Sequence, residues 1–222
     1  MCGRFTLTTA TNALAERFQI VLPDEPPAPS YNIAPGQNVL SVIQDGPRKR
    51  AEYLRWGLVP SWAKDPSIGA RMINARAESV AEKPSFRQAL QRRRCLVLAD
   101  GFFEWCKRGT EKVPMYMRLC THQPFAFAGL WDVWRDSQGV PLVTCTVLTT
   151  AANALVAPIH HRMPVILRPE DENVWLDPEL HEPARLLSLL VSCDAETMVA
   201  YEVSRVVNTG RVNTPACILP VH

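Results

Sequence analysis

An α+β fold dominated by antiparallel sheet is predicted by three observations. Between residues 95 and 150 four strand-like runs (CLVLADGFFEWCK, VPMYMRL, PFAFAGLWDVWR and VPLVTCTVLTT) follow one another across short polar turns such as KRGTEK and DSQG. That spacing reads as an antiparallel meander, because parallel strands need long crossover connections. Helical periodicity is confined to short flanking segments. With 222 residues, 47% of them hydrophobic and 21% charged, the chain has material for one large core. The expected architecture is a single domain over residues 2–222, a mostly antiparallel sheet with an open, barrel-like core and short helices around it.

Taken in order, residues 3–8 (GRFTLT) read as a short strand. Thr8 or Thr9 is placed to cap a helix running to about Ile20, with Leu14, Ala15 and Phe18 on one face. Pro23 ends it, and PDEPPAPSYNIAPGQ is expected as an extended, ordered loop draped over the core. A hairpin follows: NVLSVI, a turn at Asp45-Gly46-Pro47, then AEYLRWGLV. Residues 60–79 are rich in turn formers. The next helix, near Ser85–Arg94, ends in Arg92-Arg93-Arg94, read as a solvated terminus favoured by the helix dipole. Beyond the four strands come a short helix, a loop around His160 and a strand reaching 167. Helices are expected at 169–176 and 182–193, the second built on Leu186, Leu187, Leu189 and Leu190. A strand near Val199–Val207 precedes the NTGRVNTP tail.

The formal charge of +2 and pI of about 8.2 exclude a strong global field for nucleic acid, so any arginines that bind must do so individually. No apolar run approaches the ~20 residues of a membrane span, and the N-terminus lacks the regions of a secretory signal, so a cytoplasmic protein is expected. The seven cysteines are scattered and form no C-x-x-C pair; Cys120-Thr121-His122 is the nearest approach to a ligand pattern. Neither a metal nor another cofactor is expected.

Chemistry starts at Met1-Cys2-Gly3. If Met1 is removed, Cys2 carries an α-amine and a thiol on one residue. The amine, with a pKa of roughly 8, is partly neutral at physiological pH. Such an aminothiol condenses with an aldehyde to an imine, which the thiolate closes to a thiazolidine; it can equally attack an acyl group. An incidental cysteine on a frayed terminus is the plainer reading. Alternation in Ile73-Asn74-Ala75-Arg76-Ala77-Glu78 puts Asn74, Arg76 and Glu78 on one side, as a polar ligand site or an exposed strand face. Glu104, set among aromatics in ADGFFEW, is either a buried proton carrier or an edge-strand carboxylate in water. His160-His161-Arg162 suits acid catalysis and anion binding, or is structural. Trp56 and Trp105 read as core. Trp62, flanked by Pro and Ser, is the candidate for stacking on a base.

MCGRF, YNIAPG at 31–36, RWGLVPSWA at 55–63, INARAES at 73–79, ADGFFEW at 99–105 and PIHHRMPVIL at 158–167, with VSRVVN at 203–208, resemble the SRAP family, the SOS response-associated peptidases, in the family's own order. The resemblance implies a DNA-damage protein that senses abasic sites in single-stranded DNA and crosslinks to them through Cys2. Autoproteolytic removal of Met1 would precede this, and AP-lyase strand cleavage is a possible accompaniment. The matching catalytic positions are Cys2, Asn74, Glu104 and His160. In the mechanism this suggests, His160 protonates the sugar ring oxygen, Glu104 shuttles protons and Asn74 holds the sugar. Arg4, Arg76 and Arg162 grip phosphates. The chain is expected to act as a monomer. It departs from relatives at Ala63, where some carry a second tryptophan, and at His161, whose neighbourhood bears on the pKa of His160. Three rivals stand beside this reading. They are an N-terminal-nucleophile amidotransferase, which also begins Met-Cys-Gly, a non-catalytic single-stranded DNA-binding module, and a simple processing peptidase.

Overall fold

The computed structural model describes residues 2–221 except Pro47, without the side chains of Asp45 and Arg48. Met1, Pro47 of the expected turn and His222 lie outside the described residues. In chain order come β1 (Phe5–Leu7), α1 (Thr11–Phe18), β2 (Ser30–Ile33), β3 (Asn38–Asp45), β4 (Arg48–Trp56) and β5 (Asn74–Arg76). Then follow α2 (Arg87–Arg92), β6 (Arg94–Ala99), β7 (Gly101–Arg108), β8 (Glu111–Leu119), β9 (Phe125–Arg135) and β10 (Pro141–Ala151). The chain closes with β11 (Arg162–Pro164), α3 (Pro169–Leu176), α4 (Pro183–Ser188) and β12 (Met198–Glu202).

The strands form two sheets, and the class is α+β as expected. One sheet is antiparallel, in the order β12-β8-β7-β1-β2. In the other, β11-β10-β4-β3-β6-β9, strand β9 also pairs β10, so β10, β4, β3, β6 and β9 close into a ring. Closure removes the edges that an open barrel would leave. Two short parallel contacts complete it, β10 with β4 and β10 with β5.

The expected meander is corrected at two places: β8 pairs β7 and β12 in one sheet while β9 pairs β6 and β10 in the other, and the first strand itself is divided. The run 95–107 is not one strand: it breaks at Asp100-Gly101, and its halves belong to different sheets. A Cβ on Gly101 would lie 2.1 Å from the Tyr116 hydroxyl, so glycine lets that ring pack against the backbone. Asp100 is turned to a structural task. Its Oδ2 accepts from the backbone N–H groups of Thr8 (2.5 Å) and Thr9 (2.9 Å), and its Oδ1 from Thr6 Oγ1 (2.5 Å). Thr8 and Thr9 thus bind Asp100 rather than capping α1, whose N-cap is Ala10.

Other differences have similar causes. Within the proline-rich loop, Ser30–Ile33 pairs with β1 as β2. β10 runs to Ala151 and no α-helix directly follows it; residues 154–159 form turns. α4 stops at Ser188, β12 ends at Glu202, and Arg205–Asn208 is a 3-10 turn. Arg94 is only 5% exposed. Its guanidinium donates to Leu90 O and Gln91 O at the end of α2 and to Trp175 O and Asp177 O at the end of α3. One cation thereby satisfies the orphan carbonyls of two helices, so the arginine run is not simply a solvated end.

The main core joins both sheets. Phe5 packs edge-on against Trp56 (5.1 Å between centroids) and Phe127 (5.6 Å), which fixes the start of the chain inside the fold. A smaller cluster of Phe103, Tyr116, Val203, Val207 and Cys217 forms where the C-terminal segment crosses the five-stranded sheet. No helix among the described residues is long and apolar enough to cross a membrane.

Candidate active site

Of the four expected catalytic residues, Glu104 sits on β7 of one sheet and Asn74 on β5 of the other, Cys2 just precedes β1 and His160 just precedes β11, and the fold brings them together. β1 pairs β7 with Phe5 opposite Phe102 and Thr6 opposite Gly101, and Phe103 N–H donates to Arg4 O at 2.9 Å. Continuing that register carries the residues before β1 alongside Glu104. From the other sheet, β5 delivers Asn74, whose Nδ2 donates to Cys2 O at 2.7 Å. Glu104 and His160 line one cleft of about 490 Å³, together with Trp105, Lys112 and Asn208. A larger cleft of about 900 Å³, beside α1 and α3, holds none of the expected site residues.

Cys2 is fully buried and its Sγ lies 3.8 Å from Arg4 O. Burial first, and then the nearby Glu104 charge, push the thiol well above its usual range. The burial thus favours the protonated thiol in the resting fold. Glu104 is 4% exposed, and burial raises its carboxyl pKa. The carboxyl is therefore buried and not an edge-strand group in water. Asn74 Oδ1 is buried with no hydrogen-bond partner among the described residues, an acceptor open to a ligand.

The Arg162 backbone N–H donates to His160 Nδ1 at 2.9 Å, and Arg162 O lies 3.1 Å from the same ring nitrogen. An amide N–H can only donate, so Nδ1 is the acceptor and the ring proton sits on Nε2. Burial, foremost, lowers the pKa of His160, keeping the ring mostly neutral near pH 7. Protonation would exchange one Nδ1 partner for the other with little movement. His161 stacks on His160 at 4.4 Å and is itself exposed, with its pKa lowered chiefly by desolvation.

The expected phosphate ligands divide. Arg76 is exposed on β5, two residues from Asn74. Arg4 donates to Asn32 Oδ1 (2.7 Å) and Val207 O (2.9 Å) and sits over the Trp105 ring at 5.9 Å. Arg162 is 8% exposed; it forks onto Glu78 at 2.5 and 2.9 Å and donates to Thr149 O at 2.5 Å. That fork occupies the donors a phosphate would take, so the geometry places Arg162 as a brace. Trp62 is 57% exposed in the turn after β4 and does not line the cleft.

Trp56 is core, with Nε1 donating to Ile73 O at 2.8 Å. Trp105, expected as core, instead lines the cleft and donates to Asn208 Oδ1 at 2.7 Å. Sequence reasoning also passed over Lys112 and Asn208. Asn208 ends the VSRVVN stretch, the one signal that pointed there. Among the described residues no three His, Cys, Asp or Glu side chains gather into a metal-binding group.

Comparison with known proteins matches residues 1–210 to the model of the SOS response associated peptidase (SRAP) family. The chain belongs to that family. Abasic site processing protein YoqW of Bacillus subtilis is 49% identical over 98% of this chain and 99% of its own length. Abasic site processing protein HMCES of Gallus gallus is 35% identical over 87% of this chain and 67% of its own length. A crystal structure of a protein from Bacteroides thetaiotaomicron superposes with a TM-score of 0.91, at 28% identity over the full length of both chains. The SRAP match spans every residue of the cleft, Asn208 included, and stops before the last 3-10 turn at Pro215–Cys217.

Proposed function

We propose that residues 2–222 act as one unit that senses abasic sites in single-stranded DNA and joins them covalently through the amine and thiol of Cys2, once Met1 has been removed. The observation that carries this reading is the bond from Asn74 to the Cys2 carbonyl, which fixes the second residue of the chain beside a buried Glu104. A frayed terminus has neither burial nor a partner. The relatives named for abasic site processing supply the substrate class.

In the proposed sequence, the imidazolium form of His160 delivers a proton to the sugar ring oxygen as the hemiacetal opens, and the proton of the anomeric hydroxyl passes to water, so no net proton is consumed. The neutral amine of Cys2 adds to the aldehyde, and loss of water gives the imine. Sulfur then adds to the imine carbon. Because the thiol rests protonated, its proton passes to Glu104 as the C–S bond forms, while the imine nitrogen gains one. The balance is aldehyde plus aminothiol giving thiazolidine plus water, without a redox step. Asn74 Oδ1 accepts from the sugar hydroxyl, and Arg76 holds a flanking phosphate. Lacking a base to unstack, the abasic nucleotide turns into the cleft at small cost. Release of Met1 uses the same thiol and carboxyl. Strand cleavage by β-elimination competes only while the imine stays open.

The test is intact mass and denaturing electrophoresis before and after exposure to abasic single-stranded DNA. Expected are loss of Met1 and a heat-stable adduct formed without reductant. Cys2→Ala abolishes the adduct; its persistence in that variant would refute the mechanism. A non-catalytic binding module would show only salt-reversible complexes.

A further inference from the structure

Glu78 stands two residues past the end of β5, the strand that carries Asn74, and has no part in the chemistry above. Its carboxylate is half in solvent, with 55% of the side chain exposed, yet it accepts both arms of the Arg162 guanidinium, whose side chain is 10% exposed. The same guanidinium donates to Thr149 O at 2.5 Å and to Thr149 Oγ1 at 3.3 Å. Thr149 is paired with Arg76 in β5 on one side and with Pro164 in β11 on the other. A three-way clasp therefore ties the β5 turn, β10 and the start of β11. At that start lie the amide and carbonyl that hold His160 Nδ1.

We propose that Glu78 is a positioning residue: through Arg162 it fixes the ring of His160 against the cleft, and it keeps Arg162 from serving as a general phosphate ligand. The inference rests on the proposed abasic-site reading. A carboxylate and a phosphate present the same pair of acceptors to a guanidinium fork, so the two compete for one site. While Glu78 holds the fork, the charge is neutralised and the arginine side chain cannot swing toward DNA. Remove the carboxylate, and the brace on β11 loosens while a cation becomes available to the strand. Ordinary loss of structure would weaken both binding and chemistry. Loss of this clasp should separate them.

The experiment compares wild type, Glu78→Gln, Glu78→Ala, Arg162→Ala and the double variant Glu78→Ala/Arg162→Ala. Crosslinking rate is measured at saturating abasic single-stranded DNA, and affinity for intact single-stranded DNA across a salt series. Expected for both Glu78 variants is a crosslinking rate lowered by about tenfold to a hundredfold through misplacement of His160. Their DNA affinity should be equal or tighter, with a log–log salt slope steeper by about 0.7 for one added phosphate contact. In the Arg162→Ala background, Glu78→Ala should change neither quantity further, since it acts only through that arginine. Wild-type rates in the Glu78 variants, a parallel loss of rate and affinity, or full additivity in the double variant would each overturn the proposal. If wild type itself forms no adduct, it is the abasic-site reading that fails.

Discussion

Replacing Asn74 tests the hold on Cys2 most directly. The amide donates to the Cys2 carbonyl at 2.7 Å, and its Oδ1 is buried and unpartnered among the described residues. Asn74→Ala deletes the bond and leaves a carbonyl short of a donor in a place where Cys2 is fully buried. The net loss of one intramolecular hydrogen bond is about 1 kcal/mol, rising toward about 3 kcal/mol when the remaining partner stays buried. If the bond strengthens in the transition state, so that its loss is felt mainly there, crosslinking slows by roughly 5- to 150-fold, at about 1.4 kcal/mol per factor of ten. Asn74→Asp is the sharper variant. It conserves shape, so no cavity forms, but it sets a carboxylate oxygen against a carbonyl oxygen, and its rate should be no higher than that of Asn74→Ala. The assay is a single-turnover time course with protein in excess, resolved on a denaturing gel, with thermal melting in parallel. An Asn74→Asp protein that crosslinks at the wild-type rate would refute the argument that this bond positions the reacting residue.

Three further outcomes follow from the same geometry. Burial raises the pKa of Glu104, so the native state holds that proton more tightly than the unfolded chain. Stability from this group is fully present below the usual carboxyl value of 4.5 and declines as pH rises through the raised one. Glu104→Gln should therefore raise the melting temperature near neutral pH, with the gain vanishing below about pH 4.5, while crosslinking is lost; a variant less stable than wild type near neutral pH would count against it. Arg76→Ala, at an exposed strand position, should leave the melting temperature unchanged and make the salt slope of single-stranded DNA binding shallower by about 0.7. An unchanged slope would remove Arg76 from the phosphate track. Gly101→Ala sets a methyl 2.1 Å from the Tyr116 hydroxyl and should cost about 1–3 kcal/mol by overpacking, measured by denaturant unfolding. A loss too small to detect would show that the Tyr116 ring yields.

Local patterns carried much of the result. Alternation in INARAES places Ala75 and Ala77 inside and Arg76 and Glu78 outside, as the structure has them, because side-chain period is set within a few residues. Glu104 is buried, as its place in a largely apolar run suggested, although Trp105 beside it lines the cleft. The pairing of an amine with a thiol on Cys2 is covalent chemistry and needs no fold at all.

What only tertiary structure decided are the partnerships between distant residues. Asn74 reaches Cys2 across 72 positions, Glu78 meets Arg162 across 84, and Trp105 meets Asn208 across 103. Propensity and periodicity act over a turn or a strand and carry no information about which distant group a side chain will find. Hence the sequence identified Arg162 by its charge but not the carboxylate that occupies it, and Trp105 by its size but not the cleft it lines. The split of residues 95–107 between two sheets has the same origin, since the ring that makes Gly101 obligatory arrives from β8. The protonated state of the Cys2 thiol is likewise a tertiary property. The residue supplies the sulfur; the burial and the carboxylate that hold its proton come from strands that lie far along the chain.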